Sequence, residues 1–432
     1  MSGKGSYWVE TLGCPKNAVD SEKVSASLMG DGLAPAASAD VADVVVVNTC
    51  AFVEAARAES IQTVLALSEV RKPGARLVVT GCMAERYGTE LADALPEADA
   101  VVGFAGEGHL ADVVLKRPPR GGPRDLLELG RPAPSAPWAY VKVAEGCDRV
   151  CAFCAIPSFR GTQRSRTPES IEAEVRQLVA GGASEIVLVA QDLASYGRDA
   201  GEAGALAPLL RRLDGLGADG LRRMRLLYLY PSQVRDPLVA TMLACETTVP
   251  YFDLSLQHAA GGLLRRMRRW GDGTRFASMI AGIRRRDPSA AFRSSFIVGF
   301  PGETEDDHDR LLEFLEEVEL DWAGFFPYSA EEGTAAASLS GAVPPALVEE
   351  RLGECSEVQD RITAAGRDAL VGAGVEVLVD GDEDGVATGR THREAPEIDG
   401  VVRVSPGRFA AGSIVAARVV ASEGTDLVAE PS

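Results

Sequence analysis

Cys147, Cys151 and Cys154 lie in EGCDRVCAFCAIP with C-x3-C-x2-C spacing. Thiolates this close along a chain can wrap one corner of an iron-sulfur cube, and three ligands to four irons leave the fourth iron open to a small molecule. A zinc knuckle is the plainer alternative, but it needs a fourth ligand and the loop supplies no His. Cys14, Cys50 and Cys82 form a second set, in TLGCPKN, VVNTCAF and VTGCMAE, separated by 36 and 32 residues. Such gaps are too long for a knuckle. Each of these cysteines nevertheless follows the end of a strand pattern, and in a parallel sheet the carboxyl ends of neighbouring strands converge on one crevice. The placement predicts three thiols at one sheet edge and a second three-cysteine cluster with an open iron. The alternative, three unrelated buried cysteines, would put them inside strands. Cys245 and Cys355 fall in helical patterns without a partner nearby in sequence, where burial is the default.

The elements that must position these residues are legible as alternating patterns. From Tyr7 to about Val102 the β-branched runs YWVETL, VADVVVVN and ARLVVT alternate with helical stretches near Asn17 to Met29, Glu54 to Val70 and Ala84 to Leu95. That is the signature of a parallel sheet with crossover helices. Pro and Gly dominate from Leu115 to Pro137 and predict an exposed linker. A second alternation follows, with strands expected at Ala139 to Ala144, Glu185 to Ala190, Arg223 to Leu229, Tyr251 to Leu256, Phe292 to Val298 and Trp322 to Tyr328. Six such units fit a partial or complete barrel, whose chemistry sits at the C-terminal strand ends. One intervening helix, TEDDHDRLLEFLEEVEL, opens with a Thr N-cap and an acidic first turn. From about Gly366 the short runs VEVLVDG, GVATGR, GVVRV and GSIVAARVV, with Gly-rich turns, predict a small β-barrel.

Composition bounds the function classes. The 432 residues carry 63 Asp plus Glu against 44 Lys plus Arg, a formal net charge of −19, with eight Cys and four His. The length suits two to three domains, and the acidity argues against a protein that wraps nucleic-acid phosphates. No charged start followed by a long apolar run is present, and no stretch approaches the ~20 apolar residues of a membrane span. The expectation is a soluble cytoplasmic protein with no membrane partner, in a compartment where cysteines serve metals or catalysis more often than disulfides.

The C-x3-C-x2-C motif after a first barrel strand resembles the radical S-adenosylmethionine enzymes. In that superfamily the three cysteines hold a 4Fe-4S cluster whose open iron is chelated by the methionine part of S-adenosyl-L-methionine. By that resemblance Cys147, Cys151 and Cys154 are the catalytic cluster ligands and Phe153 lies against the adenine. SFIVGFPGE, from Ser295 to Glu303, resembles the strand that flanks the adenine, which singles out Ile297 and Gly299. GASEIVLVAQD occupies the second strand, which implies methionine and ribose contacts for Glu185 and Asp192. With the second set at Cys14, Cys50 and Cys82, and a terminal β-barrel, the whole chain resembles the methylthiotransferases. That resemblance implies an α/β fold class. A flavodoxin-like parallel α/β cluster-binding domain would span 4–116, with a linker over 117–132. A radical-SAM (β/α) partial barrel over 133–364 and a small antiparallel TRAM-like β-barrel over 366–432 would follow. It also implies two 4Fe-4S clusters as cofactors and an electron donor such as flavodoxin or ferredoxin. One S-adenosylmethionine would methylate a sulfur at the N-terminal cluster, and a second would supply the radical that removes hydrogen from the substrate.

The family divides between an adenosine of transfer RNA and an aspartate of ribosomal protein S-twelve. LGCPKNAVDSE, LLYLYP, FFPYSAEEGT and GRTHREAPEIDG resemble the second branch, although Ser255 and Ser294 stand where proline and threonine are usual. Charge gives a separate argument. From Gly366 to Ser432 there are six Arg and no Lys against twelve acidic residues, a net −6. Such a barrel would repel RNA and attract a basic protein, with steering that weakens as salt rises. Acidic loops can equally be solvated surface. An iron-sulfur sensor without turnover remains a third reading. His258, just past the fourth barrel strand, is either catalytic or a satisfied loop histidine. The arginine clusters at 265–270 and 284–286 either meet phosphate or are solvated helix faces.

Overall fold

The computed structural model describes residues 5–119, 122, 124–383 and 385–432. The chain forms two compact units. One comprises the chain up to Ala133 with Lys142–Arg149 and Cys154–Glu174; the other comprises Pro134–Val141, Val150–Phe153 and Val175–Ser432.

The first unit is built on strands β1 (Ser6–Thr11), β2 (Ala34–Pro35), β3 (Val44–Thr49), β4 (Arg76–Gly81) and β5 (Ala100–Val102). They are all parallel and run in the order β2-β1-β3-β4-β5, the flavodoxin-like order. Helices α1 (Pro15–Gly30), α2 (Glu54–Val70) and α3 (Cys82–Ala94) make crossovers. Every residue of VVVVNT in β3 is buried, because a parallel sheet is covered on both faces. The period of two divides that strand: Val45 and Val47 pack into one core with Leu77 and Val79, whereas Val44 and Val46 pack into another with Tyr7 and Val78. β2 and β5, of two and three residues, are too short to carry a periodic signal in the sequence.

The segment expected to be an exposed linker is partly tied down. Leu127 and Arg131 are buried. Lys23 Nζ donates to the carbonyls of Leu127 (2.6 Å) and Leu129 (3.0 Å), and both Lys23 and Arg131 pair with Glu174. A buried ammonium needs acceptors, and this stretch supplies them as backbone carbonyls; composition alone cannot show that. Residues 120, 121 and 123 of the expected linker lie outside the described residues.

The central sheets of the second unit are built from β6 (Trp138–Lys142, whose last residue falls in the first unit), β7 (Glu185–Val189), β8 (Arg223–Leu226), β9 (Tyr251–Gln257), β10 (Ala291–Val298) and β11 (Trp322–Pro327). Sheets β8-β7-β6 and β9-β10-β11 are joined by bridges Met224–Thr248 and Leu229–Leu254, which gives a partial barrel with its strands in chain order. The helix Glu305–Val318 starts with the expected Thr304, whose hydroxyl accepts from Asp307 N–H while the Asp307 carboxylate accepts from Thr304 N–H. The C-terminal barrel closes with β12 (Gly374–Glu383), β13 (Val386–Arg390), β14 (Val402–Val404), β15 (Ile414–Glu423) and β16 (Asp426–Pro431), in the order β12-β13-β14-β16-β15. Four of its pairings are antiparallel and β14–β16 is parallel. Among the described residues no helix is long and apolar enough to cross a membrane.

Candidate active site

Three thiols stand where three adjacent strands of the first unit end. Cys14 follows β1 and caps α1, Cys50 follows β3, and Cys82 opens α3 directly after β4. Gly13 has φ +91°, and a Cβ there would sit 2.7 Å from Cys50 Cβ and 2.9 Å from its sulfur. The Cys14 loop can therefore pass Cys50 only with glycine at that position. Asn17, fully buried, donates to the carbonyls of Leu12 (2.9 Å) and Thr49 (3.0 Å), which ties the two loops together. Its Oδ1 lies 3.6 Å from Cys82 Sγ, and Arg160 Nη2 donates to that sulfur at 3.1 Å.

The three thiols differ in acidity. Burial opposes ionisation of Cys14, but Lys16, Arg160 and backbone N–H groups outweigh it and hold this thiol below its usual value. Burial raises Cys50, and the neighbouring Cys14 adds to the rise. Burial pushes Cys82 up to about 12, with Arg160 working against it and the other two thiols reinforcing it. Three neighbouring thiolates need positive charge, and a bound metal cluster supplies it as its ligands release their protons. Among the described residues no three His, Cys, Asp or Glu side chains are gathered tightly enough to hold a single metal ion.

The C-x3-C-x2-C loop divides between the units: Cys147 and Cys154 belong to the first, Cys151 and Phe153 to the second. In the first, Gly146 at φ +77° lets the loop approach the 161–162 backbone, since a Cβ would lie 2.1 Å from the Thr162 carbonyl. Cys147 N–H donates to Gly161 O at 3.0 Å, and its sulfur accepts from Arg149 N–H at 3.4 Å. In the second, Ala152 is held by backbone bonds to Met267 (2.9 Å) and Ala336 (2.8 Å). Arg269 Nη1 lies 3.4 Å from Cys151 Sγ, with its guanidinium over the Tyr230 ring at 4.1 Å. Cys147 is buried, whereas Cys151, Phe153 and Cys154 are half-buried.

Arg269 departs from the solvated-face alternative for its cluster. The helix Gly261–Arg266 ends before it, and Arg268 at φ +55° turns the chain. Arg265, Arg266 and Arg268 stay exposed while Arg269 meets a thiol. Neither Arg160 nor Arg269 is marked by spacing in the sequence. Asn17 is, three residues after Cys14 on the same helix turn.

The residues expected at the cofactor separate into two groups. Asp192 is buried just beyond β7 and accepts from Ser195 Oγ at 2.6 Å. Ile297 is half-buried near the C-terminal end of β10. Gly299 follows that strand at φ +81°, where a Cβ would lie 2.5 Å from Val348. Its N–H donates to Glu303 Oε2 at 2.6 Å. Glu185 does not join them. It is the first residue of β7, at the end opposite the one where barrel chemistry sits. Its fully buried carboxylate is spent on Arg225 (2.8 Å) and Arg390 (2.6 Å). Both oxygens thus face arginines in place of the expected methionine or ribose contact. His258 is fully buried past β9, its Nδ1 accepting from Ala260 N–H at 3.1 Å, and burial lowers it to about 4. It stays neutral at physiological pH. Cys245 and Cys355 are both buried.

Comparison with known proteins settles the family. Residues 6–103 match the model described as uncharacterized protein family UPF0004, 141–315 the Radical SAM superfamily and 371–431 the TRAM domain. A ribosomal protein uS12 methylthiotransferase RimO from Frankia casuarinae is 43% identical over 97% of this chain and 91% of its own length. The chain belongs to the RimO methylthiotransferase family. The RimO of Saccharopolyspora erythraea is 43% identical over 98% of this chain and 94% of its own; that of Streptomyces coelicolor is 42% identical over 98% and 95%. Among solved structures, the radical S-adenosylmethionine methyltransferase TsrM of Kitasatospora setae aligns with TM-score 0.54 at 13% identity, covering 74% of this chain and 72% of that one. This is a likeness of fold. As a radical-SAM member of the RimO family, the chain is a transferase whose cofactors include S-adenosylmethionine and a 4Fe-4S cluster.

Proposed function

We propose that this chain transfers a methylthio group to the β-carbon of an aspartate of ribosomal protein uS12, using two 4Fe-4S clusters. Cys147, Cys151 and Cys154 would hold one, and Cys14, Cys50 and Cys82 the other. The observation that carries this reading is the second thiol set: three cysteines far apart in sequence, each placed just past the end of one of three adjacent strands. One radical cluster would serve many radical-SAM reactions; a second three-thiolate site adjoining a buried cation is what sulfur transfer adds.

When bound, the clusters and S-adenosylmethionine supply the hydrogen abstraction and the sulfur chemistry that no side-chain acid or base can perform at an unactivated carbon. The chain's own residues do the rest. Arg269 offers a hydrogen bond to the Cys151 sulfur. Phe153 and Ile297 offer apolar surface to the adenine, and Asp192 and the Gly299 turn are the polar groups for the rest of the cofactor. The names of the relatives and the net −6 of the terminal barrel both favour a basic protein substrate over RNA. The setting would be the cytoplasm, with a flavodoxin or ferredoxin as electron source.

The test is anaerobic reconstitution with purified uS12 and bulk transfer RNA. A mass gain of one methylthio group on an aspartate of uS12 is expected. Modification of the RNA with uS12 unchanged would instead select the transfer-RNA branch. Cys151→Ala should abolish formation of 5′-deoxyadenosine, whereas Cys50→Ala should keep it and lose methylthio transfer. Absence of 5′-deoxyadenosine from the unaltered enzyme would leave only a sensor.

A further inference from the structure

The group that faces the N-terminal thiols is a buried arginine, and it arrives from the other cysteine motif. Arg160 closes the short helix Ile156–Arg160, six residues after Cys154, and is 8% exposed. Its Nη2 donates to Asn17 Oδ1 (2.7 Å) and to Cys82 Sγ (3.1 Å). Its Nη1 donates to Glu145 Oε1 (2.8 Å), two residues before Cys147, and both nitrogens lie 3.4–3.5 Å from Asp20 Oδ2 on α1. The Phe104 ring stands 4.8 Å from the guanidinium. Lys142 completes the group by pairing with Asp20 and with Glu145. Two buried cations are thereby balanced by two carboxylates, and the remaining face of Arg160 is aimed at a sulfur.

We propose that Arg160 is the positioning residue of the cluster held by Cys14, Cys50 and Cys82: its planar fork fixes the Cys82 sulfur through Asn17 and donates a hydrogen bond to it. The proposal rests on the two-cluster reading above. A donor to a ligating sulfur draws off charge and favours the reduced cluster, so it raises the reduction potential. The planar fork is essential to this role, because one nitrogen must serve amide and sulfur while the other serves carboxylates. A lysine would keep the charge balance with Asp20 and Glu145 yet lose the fork.

The experiment uses full-length, anaerobically reconstituted protein in which Cys147, Cys151 and Cys154 are all alanine, so that only the N-terminal site can hold iron. Its potential is read by redox titration with electron paramagnetic resonance. Arg160→Lys is expected to keep the iron and to lower the equilibrium for one-electron reduction about tenfold, a shift of about 59 mV. Arg160→Gln should shift it further or lose the iron. Loss of iron from Arg160→Lys with unchanged circular dichroism also supports a positioning role. An unchanged potential in iron-loaded Arg160→Lys overturns the proposal while leaving the cluster reading intact. Loss of iron together with helical signal overturns it too, since Arg160 would then be a folding residue only. If the parent with three alanines binds no iron at all, the two-cluster reading fails and the role of Arg160 falls with it.

Discussion

Replacing Glu185 by glutamine separates a structural role from a cofactor role at one atom. The carboxylate is fully buried, with one oxygen on Arg225 and the other on Arg390. Burial alone would raise its pKa, but Arg390, Arg225 and Arg223 overcome that and hold it at about 2. Against an ordinary value of 4.5, that displacement corresponds to about 3 kcal/mol. It agrees with the ~3–5 kcal/mol typical of breaking a buried pair by removing one partner. A depressed carboxylate pKa contributes stability above about pH 4.5 and loses it as pH falls through about 2, so the full penalty applies at neutral pH. Glutamine conserves the volume but leaves the buried arginines facing an amide. Burial and the two neighbouring guanidinium groups already lower Arg223 to about 10.

For a unit of this size each kcal/mol moves the melting point by ~2–4 °C. Glu185→Gln should therefore melt about 10 °C below the parent chain and unfold at lower urea. S-adenosylmethionine affinity, measured by calorimetry on the reconstituted protein well below the melting point, should be unchanged. A variant with the parent's melting point and a lost S-adenosylmethionine site would refute this reasoning and restore Glu185 to the cofactor.

Three further expectations follow from single residues. Burial raises Asp399 to about 6, against the opposing effects of Arg293 and Tyr251. Its contribution to stability is full below about pH 4 and lost as pH rises through about 6. The stability advantage of the parent over Asp399→Asn should thus shrink by about 3 kcal/mol between pH 4 and pH 7 in urea titrations. Gly13→Ala forces a Cβ into Cys50 at a positive φ; on the proposed two-cluster reading, reconstituted protein should hold about four irons in place of about eight, by colorimetric iron assay. Thr304→Ala removes the capping box of Glu305–Val318 and should cost about 1 kcal/mol in chemical denaturation, with no change in iron content.

What was legible in the sequence depended on how locally each feature is encoded. The thiol positions were legible because β-branched runs mark strand ends, and a residue just past such an end needs no tertiary information to be placed. The strands β2 and β5, of two and three residues, escaped because runs that short carry no usable period. Glu185 shows a different failure. The strand begins at Glu185 as its pattern predicts, yet a first residue points its chemistry at the barrel's N-terminal end, and only Ala190 to Asp192 reach the other. The phrase GRTHREAPEIDG shows what lies there. Arg390 meets Glu185, and the carbonyls of Thr391 and His392 accept from Arg225. The carbonyl of Pro396 accepts from Tyr140, and Asp399 binds Tyr251 and Arg293. Those partners are contributed by strands β6 to β10, so one loop of the terminal barrel satisfies buried polar groups from five strands of the central one. Pairing of this kind offsets the desolvation of the buried polar groups, which is how a stretch so polar can sit inside a barrel. It also fills that end with charge, in keeping with the proposed placement of the cofactor at the opposite end, where Asp192, Ile297 and Gly299 lie.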